Sequence, residues 1–192
     1  LIFVGFLSLA IGARSVPFLE VWKAIAAFDQ TNSNHIVVSN LRIPRLVAGL
    51  FAGTALSVAG LICQTILRNG LADPGILGIN SGAAFMAVLS VWLLDFSAPL
   101  ELGMAALMGA FIATAFIVFI AQLGKGRPDA LRLILVGAAI TAIFGALTSA
   151  VLEFSQESVN VFRFWIVGSL ASGDGSQAAQ VAYLLPIYAL GL

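Results

Sequence analysis

Charge is what this sequence has least of. Asp, Glu, Lys and Arg make up 9% of its 192 residues, where a soluble domain carries about 25%. With 60% hydrophobic residues and a mean hydropathy of +1.06, the chain could not clothe a water-facing surface in polar groups, because a domain of this size still needs a polar shell. Lipid is the better solvent. Positive and negative charges cancel, so bulk electrostatics gives no reason to expect nucleic acid or an acidic partner. A single cysteine, Cys63, excludes a disulfide framework, and its place inside an apolar run reads as a buried structural thiol.

Chemistry-bearing residues are equally sparse. The one histidine, His35, lies in a polar stretch and reads as a solvated loop residue. It cannot supply the H-E-x-x-H of a zinc protease. There is no G-x-S-x-G elbow, and Asp73 has no second acid close by for paired acid–base work. No Walker A pattern occurs, so nothing here binds ATP. The long apolar runs carry no acidic residue at mid-span, which counts against an ion- or proton-coupled transporter or channel.

What is present is runs of apolar residues. A spanning helix needs about 20 of them, and Leu46–Leu67, Ile76–Leu94, Leu102–Leu123 and Leu133–Leu152 each qualify. Leu1–Ala13 and Ala178–Leu192 are partial and read as cut ends; Leu1–Ala13 lacks the basic flank of a signal peptide. Val161–Leu170 is too short to cross and reads as a half-helix. The connections are short and rich in Gly, Pro, Asp and Asn. Within the long segment from Arg14 to Arg45, Pro17–Phe28 suits a short interfacial helix.

Counting basic residues by side leaves Arg14, Lys23, Arg42, Arg45 and Arg163 nearly balanced by Arg68, Lys125, Arg127 and Arg132, so the positive-inside rule does not decide orientation. The cluster Lys125, Arg127, Arg132 leans toward its own side as cytoplasmic. Small residues recur at four-residue spacing at Gly49, Gly53, Ser57 and Gly60, and again at Ala105, Gly109 and Ala113. Such spacing lets helix backbones approach closely. In the last full run, Gly137, Thr141, Gly145 and Thr148 fall within roughly 80° on a helical wheel, with Ser149 about 40° beyond. That small, partly hydroxylated face suits either packing against a neighbour or lining a water-filled path.

The most informative stretch is Leu41 to Gly82. Arg42 and Arg45 flank Pro44 just before a span, where a basic pair alone reads as an interfacial anchor. After the span, Arg68-Asn-Gly-Leu-Ala-Asp-Pro-Gly75 breaks the helix, since Pro74 cannot continue it and restricts Asp73. Irregular backbone at membrane depth must be covered by protein or water. This pattern, with Gln64, Asn69, Leu71, Ala72, Asp73, Pro74, Gly75, Leu77, Gly78, Gly82 and Ala83 in register, resembles the signature of the FecCD-type permeases of ATP-driven importers for iron–siderophore complexes, haem and vitamin B12. Gly70 departs from the family's usual Pro. The likeness runs on through Arg132–Ala139 and Phe164–Leu170.

The resemblance implies an all-α, polytopic transmembrane bundle of the type II ABC importer (vitamin B12 permease-like) fold. The 192 residues would form a single, truncated permease domain, from the end of helix 1 to the start of helix 6, with the later helices and the ATPase-coupling loop absent. It implies a second permease subunit, two cytoplasmic ATPase subunits that bind the ATP, an extracytoplasmic substrate-binding protein, and the cytoplasmic membrane of a bacterium or archaeon. By the same resemblance Arg42 and Arg45 match docking groups for the binding protein, and Gly137, Thr141, Gly145, Thr148 and Ser149 match the path-lining helix. The turn Asn69, Asp73, Pro74 and Gly75, with Asp129, Ala130 and Leu131, corresponds to the cytoplasmic gate region. Phe162 to Ser169 corresponds to the half-helix near the external mouth. No cofactor or metal is implied in this chain. The expected cargo is an iron(III)–siderophore complex, with haem or vitamin B12 as alternatives. An ATP-independent transporter, a membrane enzyme and a scaffold are the rival classes.

Overall fold

A computed structural model describes residues 2–12, 15–123 and 129–168. Among them every regular element is helical. Residues up to Leu56 form one compact unit and Ser57–Gly168 another.

The first unit is built on α1 (Ile2–Ala10), α2 (Phe18–Ala26), α3 (Ser33–Val37) and the first part of α4 (Ile43–Leu67). The short helix expected within Pro17–Phe28 exists as α2. Leu9, Ala10, Val16, Val21, Ala24 and Val38 form its apolar core, so α2 is packed onto the ends of α1 and α3. Between α3 and α4 the chain widens into a π turn, Val38–Arg42, closed by Ile43 N–H donating to Val38 O. The wide turn comes just before Pro44, whose ring would crowd the carbonyl four residues back in a regular helix and which has no N–H to offer it. Helical backbone therefore begins well ahead of the expected Leu46 start, at Ser33, and continues to Leu67.

His35 is not a solvated loop residue. It lies in α3 and is 4% exposed. Its Nδ1 accepts the Asp29 N–H at 3.1 Å, and Nε2 stands 3.4 Å from Glu20 Oε2. The same carboxylate accepts from Lys23 Nζ at 3.1 Å and Asn32 Nδ2 at 2.9 Å. The polar residues around His35 are thus turned inward onto one another, which a reading of the stretch as hydrophilic loop does not anticipate.

The second unit holds the rest of α4, then α5 (Ile79–Leu94), α6 (Pro99–Gln122), α7 (Ala130–Phe154) and α8 (Gln156–Val167). At 1.5 Å per residue α6 and α7 are roughly 36–38 Å long, enough for a hydrocarbon core of about 30 Å. The run Ile76–Leu94 is not one continuous helix. A 3₁₀ turn, Pro74–Leu77, and the left-handed Gly78 (φ 78°) leave α5 with 16 residues, about 24 Å. The short helix α8 begins at Gln156 rather than Val161 and ends at Val167; Ser169, Leu170 and Ala178–Leu192 lie outside the described residues.

α5 packs most closely on α6. A Cβ at Gly82 would meet the Ala113 Cβ at 2.5 Å and Gly109 O at 2.7 Å, and a Cβ at Gly109 would strike Gly82 O. Ala105, Gly109 and Ala113, the spaced small residues of α6, are all buried. α8 is tied to α5 by Ser158, fully buried, whose Oγ donates to Val88 O at 3.3 Å. Cys63 is buried as expected, against Leu67 and Ala72.

Candidate functional site

The sequence features singled out above gather in two places, one in each unit. In the second unit the end of α4, the turn after it and the start of α7 form one structure. α4 closes with Arg68 in the left-handed region (φ 48°) and Asn69 N–H donating to Gln64 O at 3.1 Å, the six-to-one bond of a Schellman cap. Asn69 Oδ1 then accepts Leu71 N–H at 3.0 Å, and Asp73 Oδ1 accepts Gly75 N–H at 2.7 Å. The motif's polar residues hold backbone donors and so fix an irregular path. Gly70 is exposed, and a Cβ there would meet nothing within 4 Å. No close contact demands glycine where the resemblance expects proline.

Asp129 plays the same part for α7, accepting Arg132 N–H at 2.8 Å as its N-cap. Arg132 in turn donates from Nη1 to Ala121 O at 3.3 Å, bringing the C-terminal end of α6 to this end of the unit. Ala130, Leu133 and Ile134 pack on Cys63, Leu67 and Ala72. The gate residues proposed from the two separate stretches are therefore neighbours through the Ala72–Ala130 cluster, while Asn69, Asp73, Asp129 and Leu131 are exposed. Lys125 and Arg127 lie outside the described residues.

The small face of α7 serves two purposes. At Gly137 it is covered by the 3₁₀ turn: a Cβ would lie 2.9 Å from Leu77 Cα and 3.0 Å from Ile76 O. One turn on, Thr141 stands over Gly78, whose added Cβ would meet Thr141 Oγ1 at 2.6 Å and Gly137 O at 2.7 Å. Thr148 is buried, with its hydroxyl donating to Phe144 O at 2.7 Å. Gly145 and Ser149 are exposed, and a Cβ at Gly145 would meet open space. Gly137 and Thr148 are thus packing residues in this chain. An open, small surface remains at Gly145 and Ser149, with Thr141 at its edge.

In the first unit, Arg42 is half-buried, and its Nη1 donates to Leu9 O at 2.5 Å, tying the π turn to the end of α1. Arg45, one turn later, is exposed. Both line a cleft of about 510 Å³ together with residues of α1 and α4. Sequence reasoning missed this cleft and the Glu20–His35 cluster. Neither has a fixed spacing that would betray it, since each is assembled from segments that only the fold brings together. The electrostatics of the cluster favour ionised carboxylates. The Lys23 and Asn32 hydrogen bonds hold Glu20 below the ordinary carboxylate value, and the Thr31 hydroxyl and backbone N–H do the same for Asp29.

Comparison with known proteins places this geometry. The model of the FecCD transport family matches residues 1–192. The chain is 40% identical over 170 residues to the ferric enterobactin transport system permease protein of Escherichia coli (strain K12), covering 88% of this chain and 51% of that protein. It is 30% identical to the iron(3+)-hydroxamate import system permease protein of Bacillus subtilis (strain 168), covering 98% and 48%. To the vitamin B12 import system permease protein of Vibrio vulnificus (strain CMCP6) it is 32% identical, covering 88% and 50%. A solved inward-facing metal-chelate type ABC transporter superposes with a TM-score of 0.73 at 27% identity, covering 96% of this chain and 56% of that one. The chain spans about half the length of the curated relatives it matches. Its continuous match across the capped turn, the α5–α6 contact and α7 makes it a member of the FecCD transport family.

Proposed function

We propose that this chain forms the first part of a membrane-embedded permease subunit of an ATP-driven importer for iron(III)–siderophore complexes. The observation that carries the reading is the 40% identity to a ferric enterobactin permease over 170 residues, a stretch long enough to take in the capped turn and the α7 face. On this reading the residues run from the end of the first membrane helix to the start of the sixth. The permease pairs with a second permease subunit in the cytoplasmic membrane, and two cytoplasmic ATPases supply the energy. An extracytoplasmic binding protein delivers the chelate.

The chemistry asked of the permease is passive. A large, polar chelate needs a wide passage without groups that bind it strongly, and Gly145 and Ser149, with Thr141 beside them, offer small and hydroxyl surface of that kind. The turn Asn69–Gly75 with Asp129–Leu131 acts as the cytoplasmic gate, its backbone capped so that it moves as a unit when ATP binding rocks the two permease halves. Arg45, exposed at the start of α4, pairs with an acidic group on the binding protein. Arg42 contributes charge from a half-buried position while holding α1. Such pairs add modest energy but fix register and speed encounter.

The relatives that import vitamin B12 favour a second reading in which the cargo is cobalamin; haem is the third cargo of the same family. The test is uptake by cells expressing the full-length permease with its ATPase and binding protein. Radiolabelled ferric siderophore is expected to accumulate, and to stop when the ATPase is inactivated. Accumulation of cobalamin or haem instead would reassign the cargo, and uptake persisting without any ATPase would reject the importer itself.

A further inference from the structure

The cleft in the first unit joins Arg42 and Arg45, proposed above as docking groups, to apolar surface that docking leaves unused. Its volume is about 510 Å³. It is lined by Arg42 and Arg45, by Leu46 and Leu50 further along α4, and by Ser8 and Ile11; Ile11 lies at the arginine end, next to Gly12, whose added Cβ would stand 3.1 Å from Arg42 Nη2. From Arg42 to Leu50 the helix rises about 12 Å, so the cleft runs from a cationic end along an aliphatic wall.

The level of that cationic end is marked by α2. Its buried residues, Val21 and Ala24, share a core with Val38 of the π turn that carries Arg42. Its other face leaves Phe18, Leu19, Trp22 and Ile25 between 51% and 65% exposed. A helix this short, with an outward Trp and aliphatic neighbours and a polar Glu20–Lys23 edge, belongs at the headgroup boundary. Arg42 and Arg45 then stand at the depth of lipid phosphates, and Leu46 and Leu50 at the depth of the first acyl carbons.

We propose that this cleft is a binding site for one anionic phospholipid, with its phosphate held by the Arg42 and Arg45 guanidinium groups and an acyl chain laid along Leu46 and Leu50. Charge complementarity selects the occupant. A guanidinium presents planar N–H donors matched to phosphate oxygens, and an aliphatic wall continuing below it suits a chain rather than a free ion. Such a lipid would brace α1 against α4 beside the Arg42–Leu9 bond.

The test uses the full-length permease in nanodiscs made from equal parts phosphatidylglycerol and phosphatidylcholine with identical oleoyl chains. Native mass spectrometry of the released protein is expected to show the anionic lipid retained over the neutral one, by about fivefold for each arginine engaged. Arg45→Gln should reduce that preference by about the same factor, and it spares the Arg42–Leu9 bond. Ser8→Phe, which fills the cleft and leaves both charges in place, should abolish retention. Millimolar inorganic phosphate should not displace the lipid. Equal retention of the two lipids, retention unchanged in both variants, or displacement by phosphate alone would each overturn the site. Because the readout involves neither the binding protein nor cargo, failure here leaves the importer reading standing, and the reverse also holds.

Discussion

A methyl group at position 78 has nowhere to go. Gly78 sits at φ 78°, and its Cβ would fall 2.7 Å from Gly137 O, so alanine there meets both backbone strain and a collision. Gly137→Ala pushes on the same contact from the other side, against Leu77 Cα at 2.9 Å. Each is expected to destabilise the full-length protein by about 2–3 kcal/mol, read as a lower thermal midpoint in detergent. Gly60→Ala is the control. A Cβ there meets nothing within 4 Å, so the substitution should be neutral or gain up to about 1 kcal/mol from helix propensity. Equal losses at all three positions would mean that the turn is not seated on α7.

The loop between α2 and α3 makes a residue-scale prediction of a different sign. Hydrogen bonds from Lys23 and Asn32 lower the Glu20 pKa, and those from Thr31 lower that of Asp29. A carboxylate whose folded pKa is depressed contributes stability above its unfolded pKa and loses it as pH falls through the folded value. Protection of the loop between α2 and α3 against proteolysis should therefore persist at neutral pH and fade below the ordinary carboxylate range. Glu20→Gln should imitate the acid state at pH 7. A loop equally protected at pH 3 and pH 7 would show that these bonds do not hold it.

At the scale of the element, α7 begins where Asp129 accepts the Arg132 N–H. Removing that cap by Asp129→Ala is expected to cost about 1 kcal/mol, with Asn restoring most of it. Hydrogen exchange in the first turn of α7 measures this directly. If Asp129→Ala leaves exchange there unchanged, Arg132 bonding to Ala121 O anchors the helix start instead. The existence of α6 and α7 was legible because apolar length alone announces a span, and their observed ends fall within a few residues of the expected ones. The break in Ile76–Leu94 was harder to place. Pro74 marks the turn before it, but hydropathy is blind to a left-handed Gly78, so the run reads as one helix from Ile76. The close approach of α5 and α6 was half-visible, since Ala105, Gly109 and Ala113 advertised a face while its partner Gly82 belonged to a motif read for another purpose. The α7 stripe showed the limit most clearly. Spacing told that one face is small, and only the fold told that Gly137 lies under a turn while Gly145 remains open. His35 escapes a reading by pattern for a related reason, because its neighbours Glu20, Asp29 and Phe28 are ones that no periodicity connects to it.

For the whole molecule, exposure in this chain takes a meaning opposite to the one it has in water. Phe111, at the middle of α6, is 76% exposed, and Phe119 and Met108 are more than half exposed, while Ala113 on the other face is completely buried. In a soluble bundle such a face would be a defect, and lysine at position 111 would improve solubility without harm. In a bilayer the same face is at home, and a charge at mid-span costs about 2.5–3.5 kcal/mol on insertion scales. Phe111→Lys is therefore expected to reduce membrane insertion of α6, scored by glycosylation mapping of the helix in a host membrane protein. Phe111→Leu should leave insertion unchanged. Insertion unaffected by lysine would mean that α6 does not cross the membrane through this face and would remove the middle of the bundle.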